Sequence, residues 1–274
     1  MHELLARALD LPEDAAEAAV LVDRLKQPPP GREVLAVGDD TAVAMMSIRT
    51  DEPAVGYLDL FAVDVPHRRA GRGRGLLASA EQELAARGVT EVRVVGNAPC
   101  YAWPGVDVRY TAAACLLEAT GYENTGGAIN MTVDLATAPL DTEVEEAALA
   151  DVGVSVRRAG PSDAVGEWAA DVFSPGWGWE SSHARGVHVA LRDGRILGFA
   201  AWGANRPSWF GPMGTAEESR GLGIGAILLK RCLADQRELG LGSAQIGWVG
   251  PRAFYSKAVG ARVERVFWQY RKAL

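Results

Sequence analysis

The stretch that decides the fold is Trp209-Phe-Gly-Pro-Met-Gly-Thr-Ala-Glu-Glu-Ser-Arg-Gly-Leu-Gly-Ile-Gly-Ala-Ile-Leu-Leu229. It predicts a short strand, a glycine-rich turn and a long helix, on which Ile224, Leu228 and Cys232 share one face at i, i+4 spacing. Glycines at a helix start let a ligand approach the backbone, and the first N–H groups of a helix have no partner within it. Because the helix dipole also favours negative charge there, the turn suits a phosphate or pyrophosphate.

Other glycine-rich loops fit this turn less well. A Walker A loop needs Gly-Lys-Ser/Thr after its glycines, and none follows here. A dinucleotide-binding loop needs G-x-G-x-x-G in a βαβ unit and an acidic residue that reads the ribose, which is not found where it is needed. The short motif alone still allows an ordinary strand–helix turn with no ligand.

The longer stretch resembles motif A of the GCN5-related N-acetyltransferases (GNAT). In that family the turn amides hold the pyrophosphate of coenzyme A, and a bulge in the preceding strand exposes amides to the pantetheine arm. The resemblance implies that the backbone of Met213 and Thr215 meets the acetyl and pantetheine groups. It also implies a coenzyme-binding loop made of Arg220, Gly221, Leu222, Gly223, Ile224, Gly225 and Ala226.

A second segment, Pro251-Arg-Ala-Phe-Tyr-Ser-Lys-Ala-Val-Gly-Ala261, resembles a later helix of the same family with the pattern F-Y-x-x-x-x-G. Tyr255 lies where many members carry the tyrosine that protonates the departing thiolate. Taken alone, a tyrosine at this position is more often just a half-buried helix aromatic. The resemblance favours a catalytic acid.

The central motif occurs twice. Arg68, Gly71, Gly73, Leu76 and Leu77 match Arg220, Gly223, Gly225, Leu228 and Leu229 at a constant offset of 152 residues. Such a match indicates an internal duplication. The resemblance therefore implies a second coenzyme-binding site, with Phe61 and Val63 at the strand positions. Its loop would contain Arg68, Arg69, Gly71, Arg72, Gly73 and Arg74.

The two copies diverge after this motif. The helix-ending glycines Gly121 and Gly260 differ by 139 positions, so the first copy has about thirteen extra residues, placed in 97–109. This segment is predicted to be a packed turn, which either covers a cleft or is a structural plug. Leu116 takes the position that matches Tyr255, and leucine cannot donate a proton. We therefore expect the first copy to be degenerate at the catalytic acid.

Candidates for the acceptor side lie in the second copy. The segment 173–183 borders the acceptor pocket in the family, which makes Trp177, Trp179, Glu180 and His183 candidates to line it. Glu180 and His183 are the candidates for the base that removes the amine proton. The alternative is a surface loop with core tryptophans.

Composition limits the function classes. The 274-residue chain has a net charge of −7 and a pI of about 5.2, which argues against binding to nucleic acid or anionic membranes. No apolar run has transmembrane length, and the N-terminus does not resemble a signal peptide. Three cysteines without a C-x-x-C pattern predict reduced thiols in the cytoplasm, and four scattered histidines predict no metal site. Richness in Ala, Arg and Gly suggests a bacterial source.

The predicted fold is α/β, with two tandem GNAT-like domains, each with a mixed, mostly antiparallel central sheet flanked by helices. The expected bounds are 1–136 for the first domain, 137–152 for a linker and 153–274 for the catalytic domain. Locally we expect a helical region over 1–26, a helix beginning at Ser162, and two closing strands, 263–267 and 268–272.

The predicted function is transfer of an acetyl group from acetyl-CoA to a primary amine of a small molecule, by a monomer or homodimer. The alternative is an acyl-CoA sensor or pseudoenzyme without turnover. A third reading, nucleic-acid binding by the basic run 68–74, is weaker, because arginines beside a phosphate loop are equally expected for the phosphates of coenzyme A.

Overall fold

The computed structural model describes every residue from Met1 to Leu274 and divides the chain into two compact units. Unit 1 contains residues 1–129 and 265–274, and unit 2 contains residues 130–264. These bounds differ from the predicted domains 1–136 and 153–274. The predicted linker 137–152 belongs to unit 2, and the C-terminal ten residues belong to unit 1.

Unit 1 begins with three short helices that are followed by a sheet and two further helices. Its elements are α1 His2–Ala8, α2 Pro12–Ala15, α3 Ala18–Leu25, β1 Arg32–Asp39, β2 Ala42–Arg49, β3 Val55–Val63, α4 Arg72–Ala85, β4 Glu91–Val94, β5 Val106–Asp107 and α5 Thr111–Ala119. The sheet order is β1-β2-β3-β4 followed by the C-terminal strand β12, Arg262–Ala273. Only the β3–β4 pair is parallel.

Unit 2 repeats this architecture. Its elements are β6 Glu123–Asp134, which begins in unit 1, α6 Glu143–Ala150, β7 Ser155–Arg158, α7 Val165–Val172, α8 Pro175–Ser182, β8 Gly186–Arg192, β9 Arg195–Trp202, β10 Trp209–Thr215, α9 Ile224–Glu238, β11 Ser243–Ile246 and α10 Arg252–Val259. The sheet order is β6-β11-β10-β9-β8-β7, and only β10 and β11 are parallel. The mixed, mostly antiparallel sheet that the sequence predicts is therefore confirmed.

The closing strands are exchanged between the two copies. Residues 131–134 of β6 pair with β11 in unit 2, and residues 270–273 of β12 pair with β4 in unit 1. The expectation of two closing strands, 263–267 and 268–272, is wrong, because β12 is one continuous strand. No glycine, proline or asparagine stands near residues 267–268 to form a turn.

Each sheet has a hydrophobic layer on both faces. In unit 1, α1 and α3 cover one face through residues such as Leu5 and Leu21, and α4 and α5 cover the other. In unit 2, α7 packs on one face around Phe199, and α9 and α10 pack on the other around Leu228. In each unit the sheet and its helices are therefore held in place by one hydrophobic core on each face of the sheet.

Two local predictions need correction. The helical region 1–26 is three helices, because Pro12 lacks an N–H and can only start a helix. Ser162 does not cap a helix: residues 161–163 form a 3₁₀ turn, and α7 begins after Ala164, whose φ is +50°. The carboxylate of Asp163, rather than Ser162, stabilises this turn by accepting a hydrogen bond from the amide of Gly160.

None of the helices combines the length and the apolar character that crossing a bilayer would require. No group of three or more His, Cys, Asp or Glu side chains is arranged to hold a metal ion.

Candidate functional site

The glycine-rich turn of unit 2 presents a row of backbone donors. Gly221 and Gly223 have φ values of +88° and +79°, in the left-handed region that favours glycine. The five amides from Gly221 to Gly225 donate no hydrogen bond within the protein, whereas the amide of Ala226 is engaged with the carbonyl of Gly223 at 3.1 Å. The open amides stand at the head of the 15-residue helix α9, where they can bind an anion. Of the predicted loop residues, Arg220 and Ala226 have their amides already occupied, Arg220 by the carbonyl of Glu217 at 3.2 Å.

The turn of unit 1 has the same backbone. Gly71 has a φ of +79°, as Gly223 does, and a 3₁₀ turn precedes the glycines in both units. The amides of residues 69–74 donate no hydrogen bond within the protein. The duplication seen in the sequence thus extends to the conformation of both loops.

The arginines of the unit 1 loop have different roles. Arg68 donates to Asp10 and to the carbonyls of Ala8 and Val63, so it ties the loop to the N-terminal helices. Arg72 pairs with Asp39. Both side chains are therefore bound to other residues of the protein. The other two arginines of the predicted loop, at 69 and 74, are exposed.

Strand β10 separates from its parallel neighbour beside the turn. It pairs with β11 only at Trp209 and Phe210, and a bulge interrupts its pairing with β9 between Phe210 and Met213. From Met213 to Thr215 the strand pairs with β9 alone, so its other edge has no strand partner. The predicted positions Met213 and Thr215 therefore lie on the open side of a gap between parallel strands.

Side chains around this gap leave little room for a Cβ atom at two further glycines, Gly214 and Gly225. A Cβ at Gly214 would lie 2.4 Å from the ring of Phe173, so this ring lies directly on the strand backbone. A Cβ at Gly225 would lie 3.4 Å from Met213 and 3.6 Å from Phe254. In unit 1 the equivalent Gly73 faces Phe61 and Val63, as well as Leu116, at 3.2–3.8 Å.

Tyr255 lies on α10, close to where β10 and β11 separate. Its ring centroid is 6.3 Å from that of Phe210 and 5.0 Å from that of Phe254, and its side chain is buried. Its hydroxyl makes no hydrogen bond to the protein. Burial raises the pKa of Tyr255 to about 12, so the phenol stays protonated throughout the neutral range.

The predicted equivalence of Tyr255 with Leu116 is wrong by one residue. Leu116 contacts Gly73 as Phe254 contacts Gly225, and Leu117 is buried as Tyr255 is. Leu117 lies four residues before Gly121, whereas Tyr255 lies five residues before Gly260, so the end of α5 is one residue shorter than the end of α10. Tyr255 corresponds to Leu117, which also cannot donate a proton.

The base candidates lie on α8 or at its end. Glu180 accepts a hydrogen bond from Asn205 at 3.1 Å, and burial raises the pKa of its carboxyl to about 8. The His183 ring stacks on Trp179 at 4.1 Å, and its Nδ1 lies 2.8 Å from the Trp179 carbonyl. Because a carbonyl only accepts, Nδ1 carries the proton and Nε2 holds the lone pair in the neutral ring. Neither residue hydrogen-bonds to Tyr255.

Trp177 does not belong with these residues. It packs with Phe173 and Phe199 in the core cluster of α7, at centroid distances of 4.9 and 6.3 Å. The segment 173–183 is therefore a helix with one core tryptophan rather than a surface loop. The extra segment 97–109 of the first copy is packed as well, with Cys100 and Ala102 buried.

Sequence reasoning missed Phe173 and Asn205. Phe173 is the first residue of the predicted site segment 173–183, but nothing in the sequence indicates that its ring covers Gly214. Asn205 lies in the turn between β9 and β10, and no motif marks it. Its role depends on the approach of two segments that are far apart in the chain.

The comparisons with known proteins agree with this geometry. The model of the acetyltransferase (GNAT) family matches residues 1–102 and 156–260, well over half of the chain. The chain therefore belongs to the acetyltransferase (GNAT) family, and the tandem arrangement predicted from its duplication is confirmed. No curated protein matches the sequence significantly.

Several solved structures share the fold. A tandem GNAT protein from the clavulanic acid biosynthesis pathway is 18% identical, with a TM-score of 0.71 over 99% of this chain and 93% of that one. A GCN5-related N-acetyltransferase from Sphaerobacter thermophilus is 18% identical, with a TM-score of 0.62 over 99% and 91%. A glucosamine N-acetyltransferase region of a fungal β-N-acetylglucosaminidase is 16% identical, with a TM-score of 0.69 over 96% of this chain but 35% of that one.

Proposed function

We propose that the protein transfers an acetyl group from acetyl-CoA to a primary amine of a small molecule, and that unit 2 carries the activity. The observation that carries this proposal is the row of five open amides, Gly221 to Gly225, beside the gap in which β10 leaves β11. A pyrophosphate would meet these amides and the positive end of α9. The exposed edge of β10 from Met213 to Thr215 would meet the acyl end of the coenzyme.

The reaction also needs one group that removes a proton from the acceptor amine and one that supplies a proton to the departing thiolate. Acetyl-CoA supplies the activated thioester when it is bound. An ammonium has no lone pair, so the acceptor must lose a proton before its nitrogen can attack, and Glu180 is our first choice as base. The pKa of about 8 for Glu180 makes it a stronger base than an ordinary carboxylate, although it is mostly protonated at pH 7. His183 is the second choice, through its Nε2.

On the other side of the reaction, Tyr255 would donate a proton or a hydrogen bond to the departing thiolate. It lies beside Phe210, the last residue of β10 that pairs with β11. The Trp179–His183 stack offers an aromatic surface near Glu180, which supports a small organic amine as the acceptor. A peptide amine is the competing acceptor class.

A binding function without turnover remains the second candidate, and the observation that favours it lies in unit 1. That unit keeps the left-handed glycine and the open amides of the loop, but Leu117 replaces the tyrosine. Unit 1 would then hold an acyl-CoA as a structural or regulatory ligand. The three cysteines form no disulfide, which supports a reducing compartment such as the cytoplasm.

The proposal is tested by release of free thiol from acetyl-CoA in the presence of a panel of small amines and short peptides. Native mass spectrometry with acetyl-CoA counts the ligands bound per chain. Thiol release with a small amine supports the enzyme. Coenzyme binding without release from any amine would favour the sensor.

A further inference from the structure

The turn between β9 and β10, residues 203–208, is a buried and firmly bonded segment of unit 2. Residues 204–206 are only 1–4% exposed. The amide of Gly203 donates to the carbonyl of Trp209 at 2.8 Å, which closes the turn at its base. A side chain on this turn therefore has a fixed place relative to the sheet.

Two further hydrogen bonds hold the turn from neighbouring elements. Gln236 of α9, which is fully buried, donates through Nε2 to the carbonyl of Pro207 at 3.1 Å. The backbone amide of Gln245 on β11 donates to the carbonyl of Ser208 at 2.8 Å. The turn is thus bonded to a helix and to a strand, and such support fixes the orientation of a side chain that the turn carries.

Asn205 reaches from this turn to the candidate base. Its Nδ2 donates to Oε1 of Glu180 on α8 at 3.1 Å. The other carboxyl oxygen of Glu180, Oε2, accepts no hydrogen bond within the protein. One oxygen of the carboxyl is therefore held by the turn, and the other is left for an acceptor amine.

No charged group of the neighbouring elements compensates Glu180. His183 follows it at the end of α8, and Arg206 lies in the same turn as Asn205. Helix α7, which packs against α8, carries Glu167 and Asp171, both exposed, and β10 carries no charged residue. None of these groups shifts the pKa of Glu180, because burial is the one cause of its rise. The hydrogen bond from Asn205 is therefore the specific contact that supports the ionised carboxylate.

We propose that Asn205 is the positioning residue of the base, which holds Oε1 of Glu180 so that Oε2 faces the acceptor nitrogen and which favours the ionised carboxylate. This inference rests on the proposed function, because it takes Glu180 as the base. A hydrogen bond to an ionised oxygen is stronger than one to a neutral oxygen, so the donor stabilises the form that can accept a proton. A carboxyl that is already oriented also loses less freedom when the amine binds.

The role of Asn205 differs in sign from a purely structural role. The ammonium of the acceptor gives a proton to Oε2, and its nitrogen keeps the electron pair that attacks the thioester carbon, while Asn205 stays bonded to Oε1. Burial raises the pKa of Glu180 to about 8, and loss of the donor at an unchanged site should raise it further. Loosening of the turn would have the opposite effect, because water would return the pKa of Glu180 towards its ordinary value of 4.5.

The test compares Asn205→Leu and Asn205→Asp with the matched control Gln236→Met. Leucine has nearly the shape of asparagine but no donor, and aspartate keeps an acceptor oxygen while it adds a second carboxyl beside Glu180. Gln236→Met removes the donor that holds the Pro207 carbonyl and leaves the bond between Asn205 and Glu180 in place. The Glu180 carboxyl is titrated in each full-length protein by carbon NMR with labelled glutamate, and Glu180→Gln identifies its signal. The pH profile of kcat/KM for thiol release is measured on the same variants.

We expect Asn205→Leu to raise the midpoint of the Glu180 titration by about one pH unit and to lower kcat/KM at neutral pH about tenfold. Asn205→Asp should raise the midpoint further, because two neighbouring carboxyls resist ionising together, and Gln236→Met should leave it in place. A midpoint that stays or falls in both Asn205 variants, an equal rise in Gln236→Met, or a raised midpoint with an unmoved kcat/KM profile would each overturn the proposal. If no amine gives thiol release in the wild type, the proposed function fails, whereas the carboxyl titration, which needs no acceptor, still decides whether Asn205 holds Glu180.

Discussion

The hydroxyl of Tyr255 is the single group whose removal best tests which unit is active. Tyr255→Phe keeps the ring and its contacts with Phe210 and Phe254. Because the hydroxyl makes no hydrogen bond to the protein, its loss leaves no partner unsatisfied. We expect the free energy of unfolding to change by less than about 1 kcal/mol.

The expected loss of rate follows from the environment of the phenol. A positioned acid contributes about 10²–10⁴ in rate. Burial raises the pKa of Tyr255 to about 12, whereas an ordinary thiol has a pKa of about 8.5. Complete proton transfer to a free thiolate would therefore cost about 5 kcal/mol, so Tyr255 acts mainly through a hydrogen bond to the developing charge. This places the predicted loss in kcat at the lower end, about 100-fold.

The assay is single-turnover release of thiol from acetyl-CoA, with the coenzyme affinity measured separately by calorimetry. The affinity should be nearly unchanged, because the open amides of the loop are not altered. Tyr122→Phe is the matched control, since it removes a buried tyrosine hydroxyl from unit 1. A Tyr255→Phe rate within about three-fold of wild type, measured where chemistry limits, would refute the acid role and the reason for assigning the activity to unit 2.

Three further predictions address the loops, the base and the packing of unit 1. Gly223→Val and Gly71→Val should impose the same backbone strain, about 1–2 kcal/mol or more, because both glycines have a φ of +79° and open space around them. Calorimetry should therefore show a similar loss of stability in both variants. Thiol release should nevertheless be abolished in Gly223→Val and stay within a few-fold of wild type in Gly71→Val. The kcat/KM of the wild type should rise with pH through about 8 as Glu180 ionises, and this rise should disappear in Glu180→Gln. The free energy of unfolding of the wild type should fall over the same range, because the folded state binds the proton of Glu180 more tightly than the unfolded state does. Glu180→Gln should not show this fall. Arg265 is 2% exposed and donates to two fully buried carboxylates, so Arg265→Met should lower the free energy of unfolding in urea by about 3–5 kcal/mol, and adding Asp14→Asn should recover part of the loss.

Local sequence was sufficient for the elements around the two loops. The offset of 152 predicted a strand, a glycine-rich turn and a helix start at matching positions of the two copies, and the structure contains all of them. In both copies the structure adds a 3₁₀ turn and left-handed glycines to this pattern. These features depend on nearby residues, because only glycine adopts the required φ values without strain and the helix begins where its apolar face begins. Residues 143–150 form a helix inside the segment expected to be a linker, and this too follows local sequence, since these residues favour a helix whatever they pack against.

Other features depended on contacts between distant residues. The sequence shows that 263–273 favours a strand, but not that β12 reaches β4 of the other copy, because pairing register is set by packing over the whole sheet. Counting back from a glycine selected Leu116, whereas contact with Gly73 shows that Leu117 replaces the tyrosine. Asp59 and Glu180 look like ordinary carboxylates in the sequence. Their raised pKa values arise from burial, and burial exists only after distant segments have come together.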